Sequence, residues 1–156
     1  MSKKILLAAI NAKYIHSNLA VYCLDAYARK YSEAVKDGRV SVIYREFTIN
    51  QQIDEILEEI YREKPDVIGF SCYIWNISYV MTLIKELKVL LPHTDIWLGG
   101  PEVSYNREEI LQEHPEITGV MCGEGERVFA SLCDYYGNDT EGEFDSTPPQ
   151  LSLIHI

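Results

Sequence analysis

Metal-ligand spacing is missing from this sequence. The four cysteines, Cys23, Cys72, Cys122 and Cys133, are far apart. No C-x-x-C pair or C-x-x-x-C-x-x-C triplet exists, so neither a zinc site nor an iron–sulfur cluster is available from local spacing. Basic residues are also scarce: 14 Lys and Arg against 24 Asp and Glu leave a net charge of −10. A chain this acidic repels phosphate backbones, which argues against a nucleic-acid partner. Long apolar runs are absent too, since charge interrupts each one short of the roughly 20 residues that a membrane span requires. The start, Met1-Ser2-Lys3-Lys4 before Ile5 to Ile10, has the outline of a secretion signal. Its apolar part is too short, and it runs into Asn11-Ala12-Lys13 without a small-residue cleavage site. A cytoplasmic protein with reduced thiols is expected.

What is present describes one ordinary domain. The 156 residues are 47% hydrophobic and 24% charged, enough for one core and short for two. Ile5 to Ile10 is a continuous apolar run, as in a strand covered on both faces. Ser17 or Asn18 can cap a helix with apolar positions at Leu19, Tyr22, Cys23, Ala26 and Tyr27. Val40 to Phe47 reads as a second strand, and Ile53, Ile56, Leu57 and Ile60 mark a helix closed by Lys64-Pro65. The acidic residues Asp54, Glu55, Glu58, Glu59 and Glu63 form its solvated face.

Asp66 to Ser71 is a third strand, Ile77 to Leu91 a helix stopped by Pro92, and Asp95 to Leu98 a fourth strand ending at Gly99-Gly100. A short helix over Arg107 to Glu113, a brief strand at Gly119-Val120-Met121 and a last helix from about Gly125 to Tyr136 complete the series. Strands separated by helical stretches of about 10–15 residues imply right-handed crossovers and a parallel sheet. The expected fold is α/β and flavodoxin-like (Rossmann-like): a five-stranded parallel sheet in the order 2-1-3-4-5 with helices on both faces. Ligands then bind at the carboxyl ends of the strands, near the switch between strands 1 and 3.

Four loops converge there: Asn11 to Asn18, Ser71 to Asn76, Gly99 to Tyr105, and Cys122 to Glu126. A phospho-acceptor receiver needs aspartates where Asn11 and Ser71 stand. A flavin mononucleotide site wants a small, glycine-bearing first loop, and residues 11–18 have none. Gly123-Glu124-Gly125 lacks the third glycine of a dinucleotide fingerprint and sets carboxylates where a pyrophosphate would lie. The remaining rim is aromatic and uncharged polar: Tyr14, His16, Tyr73, Trp75, Asn76 and Tyr105, beside a Gly99-Gly100 pair that lets a large ligand approach the backbone. A wide, flat, partly apolar ligand with amide groups suits it.

In these segments the chain resembles the cobalamin-binding domain at the N-terminus of class B radical-SAM proteins. The resemblance is carried by residues 64–71, by Tyr73-Ile74-Trp75-Asn76, by Trp97-Leu98-Gly99-Gly100-Pro101-Glu102 and by Cys122-Gly123-Glu124-Gly125-Glu126 with Phe129. Residues 11–18 are similar to the first loop of that family, and the matches together span about residues 5 to 136. The resemblance implies a cobalamin site contributed by Asn11, Tyr14, His16, Ser17 and Asn18 of the first loop, and by Ser71, Cys72, Tyr73, Trp75 and Asn76 of the second. Gly99, Gly100, Pro101 and Glu102 follow from the third loop, with Gly123, Glu124 and Glu126 from the fourth. Ser71 resembles the serine whose hydroxyl meets the nucleotide tail, although Tyr73 replaces the usual leucine two residues on. The glycine pair resembles the element that leaves room for that tail.

The family's Asp-x-His-x-x-Gly is not kept, since Tyr14 and Leu19 flank His16 where Asp and Gly belong. No histidine ligand to cobalt is therefore expected, and no side chain serves as a metal ligand. Simpler duties stay open at this stage: Ser71 as a helix cap, Tyr73 and Trp75 as a lid, Gly99-Gly100 as a turn, Glu124 and Glu126 as helix N-terminal charges.

Residues 1–136 are expected to form the cobalamin-binding domain and 137–156 a linker or tail, disordered or non-native at its end. Leu151 to Ile156 looks too short to pair as a strand. The resemblance implies a longer parent whose radical-SAM barrel carries a 4Fe-4S cluster and S-adenosylmethionine and performs methyl transfer, with this part alone not an enzyme. The alternative is a docking domain of the same fold that does not hold cobalamin.

Overall fold

The computed structural model describes residues 2–12, 19–122, 125–138 and 151–153. Its first strand, β1 (Lys3–Asn11), is buried continuously from Ile5 to Asn11, because helices cover both of its faces. The chain continues through α1 (Leu19–Tyr31), a single turn α2 (Glu33–Lys36), β2 (Val40–Thr48), α3 (Ile53–Glu63) and β3 (Val67–Ser71). Then come α4 (Ile77–Leu90), β4 (Asp95–Gly99), the short helices α5 (Pro101–Ser104) and α6 (Arg107–Glu113), β5 (Gly119–Met121), α7 (Gly125–Gly137) and β6 (Leu151–Leu153). The sheet order is β2-β1-β3-β4-β5-β6, with β1 to β5 all parallel. The five-stranded parallel arrangement expected from the alternation is thus present.

Two features differ from the sequence reading. Leu151–Leu153 does pair, running antiparallel to β5 with Gly119 opposite Leu153 and Met121 opposite Leu151. Three residues suffice because β5 itself offers an edge of only three. In addition, α5 and α2 are short turns of helix, too brief for any periodicity to announce them.

Each helix sits where its apolar stripe demands. In α3, Ile56, Leu57 and Ile60 are buried while Asp54, Glu55, Glu58 and Glu59 are exposed. Glu63 leaves that solvated face and accepts ion pairs from Lys4 at 3.6 Å and Arg45 at 2.8 Å. The helix closes at Lys64, whose φ of 46° takes the left-handed region just before Pro65. Alternation along the strands then divides the core in two. Leu6, Ile10, Ile68, Phe70, Ile96 and Leu98 pack under α3 and α4. Leu7, Val67, Trp97 and Met121 face Val21, Phe129 and Leu132 of α1 and α7. Each such large side chain contributes roughly 2 kcal/mol on leaving water. No helix among the described residues is long and apolar enough to cross a membrane.

Candidate functional site

The α1–α7 face is not filled to its end. At the carboxyl ends of β3, β4 and β5 it opens into a cavity of about 460 Å³. Two glycines create it. Gly69 of β3 and Gly99 of β4 lie on this face, where a Cβ at Gly69 would stand 3.3 Å from Leu7 Cδ2 and one at Gly99 3.5 Å from Met121 Cε. Any larger side chain there would occupy the slot. Leu7, Val21, Leu24, Met121 and Val128 supply its apolar walls, with Ser71, Tyr73, Ser104 and Glu126 the polar side chains lining it.

Gly100 has a different duty. Its φ of 100° is one that L side chains rarely adopt, and a Cβ would fall 2.5 Å from the Cys72 carbonyl oxygen. Around it the Cys72 N–H donates to the Gly99 carbonyl at 2.7 Å, and the Glu102 N–H donates to the Cys72 carbonyl at 3.3 Å. The loops after β3 and β4 are thereby locked backbone to backbone, and Pro101 starts α5 along the cavity wall.

Asn76 holds the rim from beneath. It is 1% exposed, donates its side-chain amide to the Ile10 and Ser71 carbonyls at 3.0 Å each, and accepts the Tyr73 N–H at 2.8 Å. Its amide hydrogens are spent on the ends of β1 and β3, so Asn76 supports the site without facing it. The loop it anchors carries Tyr73 and Trp75, stacked with ring centroids 4.4 Å apart and planes 4° apart. Tyr73 lines the cavity, whereas Trp75 is 48% exposed and extends the aromatic surface outward.

The other expected residues divide clearly. Ser71, Tyr73, Gly99, Gly100, Pro101 and Glu126 line the cavity. Among the described residues the Ser71 hydroxyl has no hydrogen-bond partner, unlike Ser104, whose hydroxyl donates to the Gly100 carbonyl at 2.8 Å. Cys72 points into the opposite core and its thiol is pushed up to about 12 by desolvation, with the Glu102 carboxylate adding to the shift. It contributes backbone only. Glu102 is exposed on α5 and Asn11 is buried at the end of β1, where its carbonyl accepts the Ile49 N–H at 3.0 Å; neither lines the cavity. Tyr105 is 97% exposed. Tyr14, His16, Ser17, Asn18, Gly123 and Glu124 lie outside the described residues. The described histidines, His93 and His114, precede β4 and β5 and so stand at the amino ends of the strands, away from the cavity. No group of three or more His, Cys, Asp or Glu among the described residues is placed to hold a metal ion.

Sequence reasoning did not single out Leu7, Val21, Leu24, Met121 or Val128 as site residues. Only Gly69 carried a local sign, since an isolated glycine within a buried strand marks a place where something approaches the backbone.

A family model of the B12 binding domain matches residues 5–133. The chain belongs to that family. Its similarity extends to the cobalamin-dependent radical SAM methyltransferase TokK of Streptomyces tokunonensis, 30% identical over 107 residues. That match covers 67% of this chain and 15% of TokK. Among solved structures, the cobalamin-dependent S-adenosylmethionine radical enzyme OxsB, with aqua-cobalamin and S-adenosylmethionine bound, superposes with a TM-score of 0.75 at 16% identity. The superposition covers 99% of this chain and 21% of OxsB. The radical S-adenosylmethionine methyltransferase TsrM from Kitasatospora setae gives 0.68 at 21% identity over 96% of this chain and 28% of its own. This B12-binding domain thus spans a small part of each relative's length.

The cavity fits part of the family's cofactor. Sites for drug-sized ligands run to about 300–1,000 Å³, so 460 Å³ has room for a group the size of a nucleotide tail. The walls are largely apolar, and the Ser71 hydroxyl stands beside them.

Proposed function

We propose that this domain binds cobalamin at the carboxyl end of its sheet, with the nucleotide tail in the slot between Gly69, Gly99 and Met121. One observation carries the reading: in a member of the B12-binding family, the sheet face is packed except where two glycines remove the side chains that would fill it. Ser71 would meet the tail with its free hydroxyl, and Gly100-Pro101 and Glu126 would border it. Tyr73 and Trp75 would lie against the corrin side. Tyr14, His16, Ser17, Asn18, Gly123 and Glu124 are proposed as further contacts from the loops after β1 and β5.

We also propose that cobalt takes no histidine from this chain. Among the described residues no imidazole is near the cavity, and the first loop lacks the Asp-x-His-x-x-Gly pattern. When bound, cobalamin supplies a cobalt centre able to take up and hand on a methyl group. In a longer protein the domain would present it to a radical-SAM barrel bearing a 4Fe-4S cluster and S-adenosylmethionine.

The test is direct. Hydroxocobalamin is mixed with the purified chain, free ligand is removed on a sizing column, and the visible spectrum is recorded. Near-stoichiometric corrin absorbance supports the proposal, and its loss in Gly99→Leu localises it to the slot. A colourless protein instead favours a docking domain without cofactor. Paramagnetic resonance of the Co(II) form then examines the axial position. Nitrogen splitting that vanishes in His16→Ala would overturn the histidine-free assignment.

A further inference from the structure

We infer that the slot discriminates among tail bases, accepting benzimidazole-type bases over purines, and that Met121 sets the choice; the inference rests on the cobalamin reading above. Register gives the slot its depth. Leu7 and Gly69 are direct partners between β1 and β3, two residues further into the sheet than the level where Ser71 partners Gly99. The lining there is apolar: Leu7 is 2% exposed, Val21 1% and Val128 3%, and Met121, which follows Val120 opposite Leu98 and so stands level with Gly99, sends a thioether 9% exposed overall down toward Gly69. The Met121 methyl lies within reach of both glycines, 3.8 Å from a Cβ placed at Gly69 and 3.5 Å from one placed at Gly99.

The polar side chains that line the slot come from residues at or beyond the strand ends, Tyr73 from the loop after β3. Ser71 ends β3, Ser104 ends α5 with its hydroxyl committed to Gly100, and Glu126 sits in the first turn of α7. The backbone groups of the deeper level are engaged in the parallel ladders of β1, β3 and β4.

A base that enters this slot edge-first therefore meets no hydrogen-bonding side chain at its far edge. Alkyl substituents on a benzimidazole lose nothing there, and a flexible thioether adapts to their shape. A purine brings an exocyclic amine and extra ring nitrogens, which would leave water without a partner. Each buried donor or acceptor left unsatisfied weakens binding by about tenfold.

The experiment uses three corrinoids on the same purified chain: hydroxocobalamin, its analogue with adenine as the tail base, and cobinamide, which has no tail. Affinities are measured by equilibrium dialysis with absorbance readout. Cobalamin is expected to bind at least about tenfold more tightly than the adenine analogue. Met121→Gln, close in size and bearing an amide, should shrink or reverse that gap, while Met121→Leu should keep it. Thermal melts confirm that both variants fold, and the wild-type comparison stands without them.

Equal affinity for the two tailed corrinoids, both above cobinamide, would overturn the selectivity while leaving the cobalamin reading intact. A preserved gap in a folded Met121→Gln variant would overturn the role of Met121. Failure of all three ligands, or cobinamide binding as tightly as cobalamin, would remove the reading on which the inference depends.

Discussion

Replacing Gly100 by alanine isolates the contact that joins the two loops of the site. Gly100 has φ 100° and ψ 172°, a region essentially reserved for glycine, and forcing another residue into it costs about 1–3 kcal/mol. The new methyl would also stand 2.5 Å from the Cys72 oxygen and 2.9 Å from its nitrogen. Both atoms belong to a backbone held by bonds to Gly99 and Glu102, so relief requires stretching at least one of them, at about 1 kcal/mol or more. The sum is about 2–4 kcal/mol, a large share of the roughly 5–15 kcal/mol a domain possesses. At about 2–4 °C per kcal/mol for a domain of this size, the melting point should fall by about 10 °C. Gly38→Ala is the informative control. Gly38 has φ 85° with nothing within 4 Å of its missing Cβ, so it carries the conformational cost alone. Urea unfolding of both variants gives the comparison. If Gly100→Ala proves no less stable than Gly38→Ala, the close approach to Cys72 is not real and the argument fails.

Asn76→Asp keeps the shape but removes both donors to Ile10 and Ser71; a loss of about 2–4 kcal/mol is expected, and chemical unfolding showing under 1 kcal/mol would contradict it. Burial raises the Cys72 thiol from 9.0 to about 12, and Cys133 and Tyr136 are raised as well, chiefly by burial. A group raised in the folded state contributes fully below its unfolded value and loses that contribution as pH climbs toward the folded one. Stability should hold to about pH 9 and then decline up to about 12, by roughly 1 kcal/mol per pH unit for each thiol. Urea midpoints in Cys72→Ala should show a shallower alkaline slope. Hydroxocobalamin at about a hundredfold above its dissociation constant should add about 3 kcal/mol of stability, seen as a raised melting point that Gly99→Leu abolishes.

Much of the architecture was legible in the sequence because it depends on local pattern. The Ile5–Ile10 run, the Ile56–Leu57–Ile60 stripe and the Pro92 stop each state their environment within a few residues. The strand order followed from the alternation of strand and helix. What escaped depends on contacts distant in the chain. β6 exists because β5 has an open edge more than thirty residues earlier, and nothing within Leu151–Leu153 says so. The slot walls come from β1, α1, β5 and α7, and each of their apolar residues reads as ordinary core until the glycines opposite are placed. Asn76 shows a role of another kind that the sequence does not reveal. A polar residue in a loop beside aromatics suggests a ligand contact, yet its amide was needed to satisfy two strand-end carbonyls. Its burial, which is invisible in the sequence, is what gives it that supporting role.

The two faces of the sheet show why the site lies where it does. On the α3–α4 side, β3 and β4 present Ile68, Phe70, Ile96 and Leu98, all buried and mutually packed. On the α1–α7 side the same strands present Val67 and Trp97 toward the amino end and Gly69 and Gly99 beyond them. Trp97 is fully buried there, and its indole N–H donates to the Tyr136 hydroxyl at 2.8 Å, which in turn donates to Asp95 at 2.6 Å. Closely packed core therefore gives way to open slot within two residues along each strand. A side chain at Gly99 reaching the Met121 methyl would bury apolar surface worth roughly 1–2 kcal/mol. The chain forgoes that gain at a position whose backbone tolerates a Cβ, while at Gly100 no Cβ fits. The glycine at 100 is demanded by the fold; the one at 99 is not, and the proposed cobalamin tail would account for it.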